Sequence, residues 1–119
     1  MSKAVWKFPV RIGTMGDDFT LRMPVGAEVL SVEYDWSLMC PAVWAMVDTE
    51  NAQKTEERGF SVRGTGHDAD GLERHRFLGT VPYPHVALVF HFWAHAAPRP
   101  ERTDRDRAFD GASDGGRLG

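Results

Sequence analysis

Phe19-Thr20-Leu21-Arg22-Met23 alternates apolar and polar side chains at every step. That period of two lets an extended chain bury one face and wet the other. Pro24-Val25-Gly26 follows at once; proline presets a negative φ early in a turn and glycine supplies a positive one later. The next strand is read over about residues 28–36, with Leu30, Val32 and Tyr34 inward and Ser31, Glu33 and Asp35 outward.

Upstream, Trp6, Phe8 and Val10 alternate with Lys7, Pro9 and Arg11, and residues 13–18 read as a turn. Pro9 has no amide proton to give to a ladder, so this first strand is expected at a sheet edge or to stop early. Downstream, residues 42–47 are apolar at every position. Such a run predicts a central strand covered on both faces, or one whose second face meets a partner. Residues 49–57 are polar with no apolar stripe, which predicts a long hairpin loop. Phe60 and Val62 then point inward from a fifth strand, with Ser61 and Arg63 outward. A sixth strand is read over residues 75–81, a turn at Val81-Pro82-Tyr83-Pro84, and a last strand over 86–93.

About seven short strands joined mostly by short turns predict an all-β domain over residues 1–95, a small antiparallel β-sandwich or partly closed barrel. From residue 96 the composition changes. Arg99, Arg102, Arg105, Arg107 and Arg117 balance Glu101, Asp104, Asp106, Asp110 and Asp114. With almost nothing to bury, residues 96–119 are expected to be a disordered polyampholyte tail.

The charges exclude some functions. Fourteen basic and seventeen acidic side chains leave the 119-residue chain at −3, the wrong sign for neutralising nucleic-acid phosphates. Cys40 is the only cysteine and sits in apolar company; it reads as a small buried hydrophobe, and a reducing compartment is expected. No apolar run approaches a membrane span and no signal-peptide pattern opens the chain, so the expected location is cytoplasmic, with neither nucleic acid nor membrane as partner. The four tryptophans are expected in core and interface packing.

The polar residues concentrate in Phe60-Ser61-Val62-Arg63-Gly64-Thr65-Gly66-His67 and the Asp68-Ala69-Asp70-Gly71 behind it. Residues 64–69 carry the letters of a dinucleotide fingerprint, but Asp70-Gly71 breaks any helix and leaves no room for a βαβ unit. No cofactor is expected. The histidines at 67, 75, 85, 91 and 95 have no zinc-ligand spacing, so no metal is expected either. Glu56 and Glu57 fall on opposite faces of any strand. The candidate binding residues are Arg63, Thr65, His67 and Asp68: Arg63 offers a fork of donors suited to a carboxylate or phosphate, and the others add short-range bonds. In the competing reading the glycines simply turn the chain and His67 caps it. No catalytic residue is assigned. From the two doubly apolar strands, Val43, Met46, Val89 and Trp93 are the candidate interface of a homo-oligomer, most simply a dimer.

Five stretches in order carry a resemblance: Lys3-Ala4-Val5-Trp6-Lys7-Phe8-Pro9, Leu21-Arg22-Met23-Pro24-Val25-Gly26-Ala27, Pro41-Ala42-Val43-Trp44-Ala45-Met46-Val47-Asp48, Val62-Arg63-Gly64-Thr65-Gly66-His67 and Phe77-Leu78-Gly79-Thr80. Together, over residues 3–95, they resemble a group of small bacteriophage and prophage proteins of unknown function. The resemblance implies a phage setting and brings no activity or ligand. The expectation is therefore a phage accessory protein that binds a host protein or a small anionic ligand, for instance to inhibit host defence. The alternatives are a virion-associated assembly protein and a small-molecule enzyme using the Gly64 to His67 loop.

Overall fold

Phe19, Leu21 and Met23 turn into the interior while Thr20 and Arg22 face solvent, as their alternation requires. They belong to β2 (Asp18–Pro24), one of seven strands in a computed structural model that describes residues 2–11 and 17–98. The others are β1 (Lys3–Pro9), β3 (Glu28–Asp35), β4 (Cys40–Asp48), β5 (Thr55–Gly64), β6 (Arg76–Pro82) and β7 (Val89–Ala94). Among the described residues the only helical turns are two short 3-10 segments, Thr49–Asn51 and Leu72–Arg74. The turn expected over residues 13–18 falls largely outside the described residues, as does the tail beyond residue 98.

All pairings are antiparallel, in a three-stranded sheet of order β1-β4-β3 and a four-stranded sheet of order β2-β5-β7-β6. The two sheets form an unclosed sandwich around one core. β1 is an edge strand ending at Pro9. The Pro24 to Ala27 reversal closes with the Ala27 amide donating to the Pro24 carbonyl, and Gly26 sits at φ 82° where a side chain would be strained. Cys40 is buried.

Phe60, Phe92, Met23, Val10, Val43, Val47 and Val81 fill the space between the sheets. Phe19 stacks on Phe60 at 5.4 Å and meets Phe92 edge-on at 6.4 Å. Each fully buried side chain of this size contributes about 1.5–3 kcal/mol. None of the four tryptophans is in this core: Trp6 and Trp36 are exposed, Trp44 and Trp93 half-buried. Phenylalanine and valine pack the narrow interior, and the indoles lie on its outer faces and rims.

Four strand readings are corrected. In β3 the pairing passes from Val29↔Ala45 to Ser31↔Trp44, so Leu30 is bulged out and Val29 takes the inward place expected of it. β6 runs from Arg76 to Pro82, with a matching irregularity at Leu78. β5 begins at Thr55, inside the expected hairpin loop, because β2 pairs with it throughout and Arg22 reaches both Glu57 (2.6 Å) and Thr55 (2.9 Å). β7 starts only at Val89; Val86 and Leu88 are exposed in the preceding turn. One interface residue is also corrected: Val43 is fully buried between the sheets and belongs to the core. Met46 lies on the other face of β4, and Val89 and Trp93 on the outer face of the larger sheet, all three half-buried.

Candidate functional site

Arg63, near the end of β5, holds its own loop. Its Nε donates to the Asp68 carbonyl at 3.0 Å, and its Nη1 reaches the Asp17 and Val62 carbonyls at 3.0 Å and Asp18 Oδ1 at 3.3 Å. The guanidinium thereby joins β2, β5 and the loop after β5. Asp68 takes part through its backbone. Thr65 turns elsewhere: its hydroxyl is 2.7 Å from Nε2 of His91, whose Nδ1 is 2.9 Å from the Thr80 hydroxyl, so one imidazole bridges the β5 end to β6. His67 closes a turn, its amide donating to the Gly64 carbonyl, and its ring covers Gly64 so closely that a Cβ there would lie 3.0 Å from Cε1. The structure thus joins Arg63 to Asp68 and Thr65 to His91, and places His67 over Gly64.

A second polar cluster on the outer face of the larger sheet was not legible in the sequence. Ser61 Oγ is 2.8 Å from His95 Nε2, and it also bonds the Asp18 carboxylate. That Ser61 bond is the main reason the Asp18 carboxyl titrates below its ordinary range; Arg63 adds to it and burial opposes it. Burial lowers the His95 pKa, and the stacked ring of His75, 4.2 Å away, lowers it further against the pull of Asp18. A Ser–His contact suggests a nucleophile with its base, but the hydroxyl has one proton. The carboxylate of Asp18 accepts only, so Ser61 donates to it and His95 Nε2 must donate to Ser61. With the proton committed to Asp18 and Ser61 only 1% exposed, the pair locks β5 to the end of β7.

A groove lies along the seam where the edges of the two sheets meet. β3 and β6 are edge strands of different sheets. At their beginnings Arg76 staples them, donating to the Val29 and Leu30 carbonyls. Next, Gly79 approaches Val32 so closely that a Cβ would stand 3.4 Å from the Val32 side chain and carbonyl. Along this seam runs a groove of about 700 Å³, lined by Glu33, Tyr34, Trp36, Leu78, Thr80 and Tyr83 among others.

The groove has an aromatic ladder. Phe90, packed against the core, meets Tyr83 at 5.3 Å; Tyr83 meets Tyr34 at 5.6 Å; Tyr34 meets Trp36 at 5.2 Å, all edge to face. The ladder ends on Trp36, 64% exposed. Burial raises the Tyr83 pKa, with smaller contributions from Cys40 and Tyr34, so its phenol stays a protonated donor. Neither Arg63 nor His67 lines this groove.

Residues 1–103 match the family model of a domain of unknown function, DUF7352. The chain belongs to that family. The DUF7352 match runs past residue 95, where the resemblance in the sequence ended, and takes in the first residues of the Arg/Asp-rich segment. No curated protein and no solved structure matches the chain.

What this DUF7352 domain offers chemically is therefore read from its own surface. Among the described residues no group of three or more His, Cys, Asp or Glu is placed to hold a metal ion, and no helix is long and apolar enough to cross a membrane. The groove presents ring faces, phenol donors and the exposed carboxylate of Glu33.

Proposed function

We propose that this protein is a small phage-encoded accessory protein that works in the host cytoplasm by binding, and that the β3–β6 groove takes an extended, proline-rich segment of a host protein. The aromatic ladder Phe90–Tyr83–Tyr34–Trp36 carries the reading. Rigid rings presented in series suit a polyproline II helix, which is extended before it binds and loses little entropy on docking. Tyrosine and tryptophan provide contact area at low conformational cost and keep a polar tip for the peptide carbonyls. Glu33 on the rim favours a basic residue in the ligand. An inhibitor of host defence is one form this activity would take.

The test is a titration of the full chain with a proline decamer flanked by arginine, followed by the indole Nε1–H signals of the four tryptophans. The Trp36 signal should move and saturate, and Trp36→Ala should abolish binding while leaving stability within about 0.5 kcal/mol, as for other surface changes. Absence of a Trp36 response at millimolar peptide, or a saturable response to oligosaccharides instead, would overturn the peptide reading.

A further inference from the structure

At the other end of the β3–β6 seam, beyond the Arg76 staple, lies a second cleft of about 470 Å³. Its walls include Arg58 from β5, Arg74 and His75 from the turn before β6, Arg76, and His95 after β7. We propose that this cleft binds a small molecule through a phosphate group, independently of the aromatic groove.

Arg58 makes the case. It points inward from the polar end of β5 and is 7% exposed. Nη1 donates to the Ala27 carbonyl at 2.6 Å and stands 3.6 Å from Glu56 Oε2, which is also within 3.3 Å of the Gly26 amide. Its Nε and Nη2 have no hydrogen-bond partner among the described residues. Buried donors are almost always satisfied, and leaving those of a charged group unmade is costly. Here the unmade donors belong to a residue lining a cleft large enough for a small ligand.

The surroundings suit an oxyanion. Arg74 is exposed and lines the same cleft, and its guanidinium has no ion pair or hydrogen bond among the described residues. Arg76 directs both Nη atoms to the Val29 and Leu30 carbonyls and adds charge without being the binding fork. Three guanidinium groups face two carboxylates, Glu28 in the cleft wall and Glu56 beside Arg58, so the cleft is positive before either histidine is protonated. A phosphate has the oxygens and charge to engage two arginines, and planar guanidinium forks match its geometry. The stacked rings of His75 and His95 form a flat wall against which the organic part of the ligand would lie.

The experiment uses the full chain and inorganic phosphate as probe. Thermal unfolding is followed from zero to tens of millimolar phosphate, with sodium chloride holding ionic strength constant. Binding to the native state alone should raise Tm by a few degrees, with acetate much weaker. Arg74→Ala, a change at an exposed side chain, should remove at least most of the phosphate-dependent rise. Arg22→Ala, on the opposite face of the larger sheet, should retain it. No rise in the native protein, an equal rise in Arg74→Ala, or an equal loss in Arg22→Ala overturns the assignment.

Discussion

Lys7 on β1 reaches over β4 to Asp35 at the end of β3. Its Nζ is 2.5 Å from Asp35 Oδ2 and 5.6 Å from the centre of the Trp44 ring. The lysine stem therefore lies over the outer face of the apolar β4 run, a cover supplied by the chain itself. Asp35 also accepts from the amides of Ser37 and Leu38 and the hydroxyl of Ser37. Lys7 first, then Ser37, hold its carboxyl far below the ordinary 3.8.

The acid limb of the stability curve should report this bond. A carboxyl whose pKa is lower in the folded than in the unfolded chain stabilises above the unfolded value and loses that contribution as pH falls below it. Stability should therefore drop below about pH 4, and Asp35→Asn should lower Tm at pH 7 and flatten that drop. Equal pH dependence in native and variant protein would show that the bond is not formed.

His95 should act in a higher window. Its folded pKa lies below 6.5, so between the two values the unfolded chain binds the extra proton. Stability conferred by the neutral imidazole is full above pH 6.5 and falls as pH drops through that value toward the folded pKa. Urea midpoints at pH 7.5 and 5.5 should differ in that direction, and the difference should shrink in His95→Gln.

Gly59 should tolerate no side chain. A Cβ there would stand 2.6 Å from His95 Nδ1, and the His95 amide is bonded to the Gly59 carbonyl. Gly59→Ala should cost about 1–3 kcal/mol through overpacking, read by chemical denaturation, with loss of the Ser61–His95 contact visible in the His95 ring signals.

Arg63 and His67 should separate on mutation. The Arg63 guanidinium links three segments and its side chain is largely buried, so Arg63→Ala should destabilise by about 1–3 kcal/mol through the bonds it loses. His67 bonds through its backbone amide, so His67→Ala should stay within about 0.5 kcal/mol. The reverse order would mean that the loop is held by the histidine.

Self-association should occur through the outer face of the larger sheet. Phe77, 52% exposed, packs edge-on against Trp93 at 5.5 Å, with Val89 further along the same face of β7. A second copy covering these groups predicts a dimer in sedimentation at tens of micromolar, and a monomer for Phe77→Ser. A strict monomer in the native protein would sink the idea.

The candidate site was legible only in part. The loop after β5 was located because glycines and polar residues cluster there, and Gly66 does adopt a positive φ. That the Arg63 fork would close on the Asp17, Asp18 and Asp68 neighbourhood depends on β2 lying beside β5, which residue spacing does not reveal. Tyr34, Trp36 and Tyr83 were each read separately, as strand, packing and turn residues. Only the meeting of β3 and β6 makes them one surface.

What the sequence determined by itself was local and periodic: the alternation of Phe19 to Met23, the Pro24 to Gly26 reversal, the edge character of β1 at Pro9, and an all-β chain of seven strands. These follow from φ preferences and from the two-residue repeat of an extended backbone. The tertiary structure decided what depends on distant partners. It bulged Leu30 and Leu78 out of register, and it extended β5 into a polar run by pairing it with β2. It also kept every tryptophan out of the core, and brought the edges of β3 and β6 together along one seam. Register and closure are set by how two whole sheets fit together, and no window of neighbouring residues contains that information.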